Sequence, residues 1–185
     1  MIAFRGHDGT SKVSCEIARA ARAKGSGLMC GIAGFNWPDR RLVKTMTDAL
    51  HHRGPDDEGL YVDDDISLGH RRLSILDLSE LGRQPMAYAH SGREVIVTFN
   101  GEIFNFREIR QALDTKGYRF RSESDTELLL ASYLEWGPEC VCRFNGMWAF
   151  ALYERAESRL FLSRDRFGEK PLHYRLVDGR LIFAS

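Results

Sequence analysis

Met29-Cys30-Gly31-Ile32-Ala33-Gly34-Phe35 sets a cysteine directly behind a methionine and ahead of small residues and a short apolar run. The rest of the chain is organised around this stretch. If Met29 is the true start, its removal makes Cys30 the first residue of the mature chain. A thiol there lies within reach of its own α-amino group, a base with an unperturbed pKa of roughly 7.7–8.0. Such an amine can take the proton of the nucleophile beside it, the logic of N-terminal threonine nucleophiles. The competing reading is that Cys30 is a small hydrophobe entering a strand, since cysteines are usually buried.

A chain of 185 residues accommodates one domain with a real core, and two would be a squeeze. Hydrophobic residues at 43% and charged residues at 28% are ordinary for a soluble globular protein, which argues against disorder throughout. The 26 basic residues balance the 26 acidic ones, so no net field is available to hold a nucleic acid or an anionic membrane. A small, polar, zwitterionic ligand fits that balance better. Cys15, Cys30, Cys140 and Cys142 form no metal-binding pattern with paired histidines, and no metal site is expected. No apolar run approaches the ~20 residues of a membrane span. The first residues lack the apolar core of a secretory signal, so a reducing cytoplasm is expected.

Residues 1–28 read as an appendage, with Arg5, Lys12, Arg19, Arg22 and Lys24 against Asp8 and Glu16 and a flexible Lys24-Gly25-Ser26-Gly27 end. Translation from a misassigned start, a removable propeptide or a basic targeting peptide would each explain them. Beyond Cys30, Gly31 to Phe35 suits a buried strand, and Leu42, Val43, Met46 and Leu50 recur at helical spacing within 40–52. His51 to Gly59 then reads as a polar loop of turn formers. Ile66 to Leu76 reads as a strand whose alternation puts His70, Arg72 and Ser74 on one face, so that one arginine faces inward and wants a carboxylate.

Glu94 to Phe99 is a strong β run ending in Asn100-Gly101-Glu102, a dipeptide type that reverses hairpins. Functionally, it offers an amide side chain and an unencumbered backbone N–H to a bound carbonyl, the make-up of an oxyanion hole. Asn105 with Glu108, and Ser124 with Glu127, mark two helix starts closed by Gly117 and by Gly137-Pro138. Asp125 falls in the first turn of the second helix, where complementarity to the helix dipole would by itself explain it. From Gly146 onward the chain reads as a meander-like, antiparallel and mostly buried run of strands: Met147 to Tyr153, Leu160 to Ser163, Leu172 to Leu176 and Leu181 to Ala184. No phosphate-cradling glycine motif is present.

Taken together, Met29 to Gly34, His52-Arg53-Gly54-Pro55-Asp56, His70 to Asp77, Phe99 to Asn105, Ser124 to Glu127 and Arg164 to Leu172 resemble the glutaminase domain of glutamine-hydrolysing asparagine synthetase. The likeness spans 29–185 in order. Each segment is weak alone; the ordered set is specific. The resemblance implies an α+β fold, the four-layer αββα sandwich of N-terminal-nucleophile hydrolases, with two antiparallel sheets stacked between helices.

It also implies roles. Cys30 attacks the side-chain amide of glutamine with its own amine as base, and Asn100 with the N–H of Gly101 holds the oxyanion. Arg72 clamps the α-carboxylate, Glu102 and Asp125 receive the α-ammonium, and Leu73, Ser74, Ile75 and Leu76 complete the substrate-binding set. Arg53 and Asp56 read as loop-shaping, and Arg71, Asp165 and Arg166 as mainly structural. The domain itself needs no cofactor. ATP and Mg2+ are implied for a C-terminal ATP-dependent synthetase domain that this sequence lacks, so the expected partners are glutamine and that domain, with a homodimer admitted as an assembly.

Two departures stand out. The residues ahead of Met29 must be absent or removed for activity, and His173 replaces an expected tyrosine. Another class II amidotransferase, of the glucosamine-phosphate or purine type, is a weaker match in its loops. The alternative from a different class is a non-catalytic glutamine-binding or scaffolding module blocked by its N-terminal extension.

Overall fold

A computed structural model describes residues 29–73 and 82–185 and the backbone of a short strand ahead of them. In chain order the elements are β1 (Ile2–Arg5), β2 (Gly31–Phe35), α1 (Arg40–Ala49), β3 (Asp57–Val62), β4 (Ser67–Arg72), β5 (Met86–His90), β6 (Arg93–Ile103), α2 (Phe106–Asp114), α3 (Asp125–Trp136), β7 (Gly146–Glu154), β8 (Arg159–Arg164), β9 (His173–Val177) and β10 (Arg180–Ala184). A 3-10 segment, Gly137–Arg143, follows α3. The strands make two five-stranded sheets, ordered β1-β8-β7-β6-β5 and β3-β4-β2-β10-β9, and every pairing is antiparallel.

Side-chain alternation along each strand decides which layer it serves. On β6, Val95, Val97 and Phe99 pack with Leu128, Leu129 and Tyr133 of α3. Ile96 faces the other way and packs with Leu68, Leu181 and Phe183 of the second sheet. On that second sheet, Phe35 and Ile182 turn outward and pack on Val43 of α1. The layers are therefore helix, sheet, sheet, helix, the α+β sandwich expected from the sequence. β1 belongs to the 1–28 stretch and lies on the outer edge of the first sheet, Ile2 opposite Leu162 and Arg5 opposite Arg159.

Helix starts follow local chemistry. Asp39 caps α1 by accepting from Leu42 N–H at 2.8 Å, and Ser124 caps α3 by accepting from Thr126 N–H at 3.1 Å. Asn105 precedes α2 as expected but does not cap it. Its side chain bridges to Asn145 N–H and Arg143 C=O instead, at 2.8 and 3.0 Å. Glu127 likewise leaves Ser124 alone and collects the N–H groups of Arg121 and Ser122.

Three sequence expectations are corrected. Asn100-Gly101 is no hairpin turn: β6 runs through both, Asn100 opposite Ala149 and Gly101 opposite Trp148. Glycine is needed at 101 for closeness rather than reversal, because a Cβ there would lie 2.3 Å from Met147 O and 2.7 Å from Trp148 Cα. The loop read over 51–59 ends early, since β3 begins at Asp57, and β5 carried no clear sequence signal. The strand read over 66–76 is Ser67–Arg72, and Ser74, Ile75 and Leu76 lie outside the described residues.

Two hydrogen bonds tie the sheets together. Thr98 Oγ1 of β6 donates to Gly69 O of β4 at 3.0 Å, and His70 Nε2 meets Phe99 O at 3.2 Å, both buried. Gly59 of β3 lies under the lead-in to β5, where a Cβ would meet Gln84 O at 1.9 Å. Backbone cannot yield there as a flexible side chain would. Gly59→Ala is expected to destabilise by about 1–3 kcal/mol, read as a drop in thermal midpoint of roughly 5 °C for a domain this size; an unchanged midpoint would show that the sheets do not meet there.

Candidate active site

Strand register brings the predicted residues to one end of the inter-sheet layer. On β4, Leu68, His70 and Arg72 share the inward face, as the sequence alternation predicts, while Arg71 turns outward to Asp48 and Glu58. Gly31 pairs with Arg71, so the preceding Cys30 lies beside Arg72. On β6, Asn100 and Glu102 continue the face of Ile96 and Thr98. The cross-sheet bonds match Thr98 to Gly69 and Phe99 to His70, so Asn100 and Gly101 lie across from the end of β4.

Cys30 is half-buried, and its Sγ meets the N–H of Leu73 at 3.5 Å and the C=O of Leu73 at 3.9 Å. Burial pushes the thiol above its ordinary range; the Leu73 N–H and the charges of Arg72 and Lys170 only partly offset this. The group is thus a neutral thiol near pH 7 and needs a base to act. Among the described residues no imidazole or carboxylate bonds to Sγ. His70 is fully buried, and its imidazole is pushed down to about 4 chiefly by that burial. Since a carbonyl only accepts, the neutral ring donates Nε2–H to Phe99 O and is committed to holding the sheets.

The residues expected to form an oxyanion hole lie on β6. Asn100 is 3% exposed, and its Nδ2 finds no hydrogen-bond partner among the described residues. Leaving such a donor unmade costs stability, on the order of 1–3 kcal/mol, so its retention points to a ligand. Phe99 N–H donates to Gln84 Oε1 at 2.6 Å, and Ile103 N–H donates to Asp125 Oδ2 at 3.0 Å. Backbone N–H groups of alternate residues point to the same strand edge. The Gly101 N–H therefore points that way too, beyond the end of β5, whose last match is Met86 with Val97.

Asp125 opens α3 beside this edge. Burial raises its carboxyl to about 6, with Glu102 adding to the rise and the N–H groups of Ile103 and Thr126 opposing it. Two neighbouring carboxylates, one desolvated, suit a cation. Two basic residues given no catalytic part by the sequence reading contact Cys30 or the residue ahead of it. Arg53 Nε donates to Cys30 O at 3.3 Å, and its Nη2 is buried without a partner among the described residues. Lys170 Nζ lies 3.1 Å from Met29 Sδ. Their positions come from loops, which periodicity does not read. Cys140 is buried and Cys142 exposed, both away from these contacts. Among the described residues no cluster of three or more His, Cys, Asp or Glu could hold a metal, and no helix is long and apolar enough to cross a membrane.

Residues 29–185 match the sequence profile of the glutamine amidotransferase domain. The chain belongs to that family. It is 40% identical over 163 residues to asparagine synthetase [glutamine-hydrolyzing] 3 of Bacillus subtilis (strain 168) and 41% identical over 165 residues to asparagine synthetase [glutamine-hydrolyzing] 1 of the same organism. Each match covers 85% of this chain and 26% of the relative, so the chain spans about a quarter of the length of these relatives. Among solved structures, the glutamine phosphoribosylpyrophosphate amidotransferase from B. subtilis complexed with ADP and GMP superposes with a TM-score of 0.70 over 84% of this chain and 41% of that one, at 18% identity. That likeness supports the four-layer sandwich of two antiparallel sheets between helices as the fold of this glutamine amidotransferase domain.

The raised carboxyl at 125 has a stability consequence. Because the folded state holds that proton more tightly than the unfolded one, its contribution favours folding most below pH 4 and declines as pH rises through about 6. Asp125→Asn keeps an acceptor for Ile103 N–H and removes the desolvated charge. It is expected to stabilise the unliganded domain by about 1 kcal/mol at pH 7, measured by denaturant unfolding, with the gain vanishing near pH 4. A loss of stability at pH 7 would contradict the burial of this charge.

Proposed function

We propose that this domain hydrolyses glutamine to glutamate and ammonia through a γ-glutamyl thioester on Cys30, acting once Cys30 is the first residue. The observation that carries the reading is the buried amide nitrogen of Asn100, which has no partner among the described residues and lies on the same inter-sheet face and at the same end as Cys30 and Arg72. The Cys30 amine takes the Sγ proton, and sulfur bonds to the glutamine side-chain carbonyl carbon. Asn100 Nδ2–H and Gly101 N–H receive the oxyanion. The protonated amine then gives its proton to the amide nitrogen, the C–N bond breaks and ammonia leaves. Water, deprotonated by the same amine, attacks the thioester; the C–S bond breaks, glutamate departs and the thiol is restored.

Arg72 suits the α-carboxylate, because a planar guanidinium matches it with two hydrogen bonds. Asp125 and Glu102 receive the α-ammonium, and Leu73, whose backbone meets Cys30 Sγ, belongs to the substrate-binding set together with Ser74, Ile75 and Leu76, which lie outside the described residues. The asparagine synthetase relatives, matched over a quarter of their length, support ammonia being handed to an ATP-dependent synthetase domain that amidates aspartate. ATP and Mg2+ would act there, and no step proposed for this domain runs through them. A homodimer and a cytoplasmic location, where the thiol stays reduced, complete the proposal.

One observation favours a second reading for the unprocessed chain. With Met29 in place the Cys30 nitrogen is a peptide nitrogen, which cannot act as base, and Met29 N–H is tied to Arg53 O at 3.1 Å. That form would bind glutamine without cleaving it. Mass spectrometry of the purified protein paired with ammonia release separates the two: activity is expected only from chains beginning at Cys30, and turnover by a chain that keeps Met29 would defeat the mechanism.

Cys30→Ala is expected to bind glutamine and release no ammonia, and Asn100→Ala to lower kcat by roughly 100- to 1,000-fold. Unchanged turnover in either would remove the role assigned. Glutamine KM should rise as pH falls through about 6, because protonation of Asp125 deletes the charge facing the ammonium; a flat KM from pH 7 to 5 would exclude that contact.

A further inference from the structure

Arg164-Asp165-Arg166-Phe167-Gly168-Glu169-Lys170 runs from the end of β8 into a loop tied down by its own backbone. Asp165 accepts from the N–H groups of Trp148, Phe167, Glu169 and Lys170 at 3.2, 3.0, 3.0 and 3.0 Å. Burial alone would raise this carboxyl, but those four donors outweigh it and hold it below its ordinary value. Arg164 grips the other side of the loop through Gly168 O and Lys170 O. Lys170 is thus held at its backbone from two directions, and the product of that bracing is an ammonium aimed at residue 29.

The Lys170 Nζ contact is with Met29 Sδ, a weak acceptor for a full positive charge. Nothing about a thioether calls for so braced a cation. Met29 is, however, the residue whose removal exposes the Cys30 amine, and Lys170 already stands within one methionine side chain of that nitrogen. We propose that Lys170 is a positioning residue for the mature N-terminus: its ammonium disfavours a second positive charge on the Cys30 amine and so keeps that amine neutral and able to accept the thiol proton. The proposal rests on the reading of Cys30 as an N-terminal nucleophile and adds the group that tunes its base.

The charges around the amine come from every neighbouring element. Arg53, from the loop after α1, donates to Cys30 O, and Arg72 at the end of β4 acts on the thiol with Lys170. Asp57, opposite Arg72 on β3, is paired with Arg83 at 3.0 Å. His70 stays neutral, Asp165 is spent on backbone donors, and Glu102 and Asp125 stand across the layer at the ammonium site. Among the described residues the charged near neighbours of Cys30 are therefore cations, and Lys170 is the one whose charged group contacts the residue ahead of it.

The test is the pH profile of glutaminase kcat/KM, with the first residue established as Cys30 by mass spectrometry. In Lys170→Met the part of the acid limb that lies above the Asp125 titration near 6, and so reports the free amine, is expected to move up by on the order of one pH unit, so that activity just above pH 6 falls close to tenfold while the plateau at high pH is largely kept. Lys170→Arg, which retains the charge, should hold the wild-type limb. A uniform loss in Lys170→Met with an unmoved limb, or an Arg variant shifted as far as the Met variant, would overturn the proposal. Absence of glutaminase activity in wild-type protein beginning at Cys30 would instead overturn the nucleophile reading beneath it.

Discussion

Two buried hydrogen bonds between the sheets set the constraint on which the site depends. Thr98 to Gly69 and His70 to Phe99 fix how far β6 slides along β4, and neither can be lost without stranding a polar group in an apolar layer. Half of the candidate site hangs from each strand. Cys30, Arg72 and Leu73 travel with the second sheet, Asn100, Gly101, Glu102 and Asp125 with the first. A slip of one residue would turn Asn100 into the helix layer and Ile103 into the site. The same demand for closeness explains the glycines at 59 and 101, where any side chain would strike opposing or neighbouring backbone.

The chain as a whole is neutral, with 26 charges of each sign, yet charge is separated locally. Arg53, Arg72 and Lys170 gather around Cys30, whereas Glu102 and Asp125 stand on the β6 and α3 side. A free amino acid carries opposite charges on one carbon, and this arrangement offers each pole its partner. Burial then sets the protonation state of each group. The Cys30 thiol is kept protonated until a base arrives, His70 is kept neutral as a fixed donor, and Asp125 is raised to about 6, where a cationic ligand would draw it into the ionised form.

Much of this was legible in the sequence, for reasons specific to each part. Alternation on 67–72 placed His70 and Arg72 on one face because a half-buried strand imposes a period of two. Ser124 announced α3 because a hydroxyl at that position satisfies an orphan helix donor. The four-layer arrangement followed from the family resemblance, since which sheet face meets which depends on contacts between distant residues. Asn100-Gly101 misled because Asn-Gly suits a tight turn and because glycine also permits close strand approach, and only the pairing of β6 with β7 distinguishes these. The contacts of Arg53, read only as loop-shaping, and of Lys170 with residues 29 and 30 went unread because loops position them through backbone contacts that leave no periodic trace.

The proposed glutamine site takes residues from both sheets and grips the two poles of the ligand around a Cys30 nucleophile. The most direct measurement is a crystal structure of the mature protein reacted with an electrophilic glutamine analogue. The expected result is a covalent bond to Cys30 Sγ, with the analogue's carbonyl oxygen between Asn100 Nδ2 and the Gly101 N–H, its carboxylate on Arg72 and its ammonium against Asp125. An adduct on another residue, or a carbonyl oxygen turned away from Asn100 and Gly101, would contradict it.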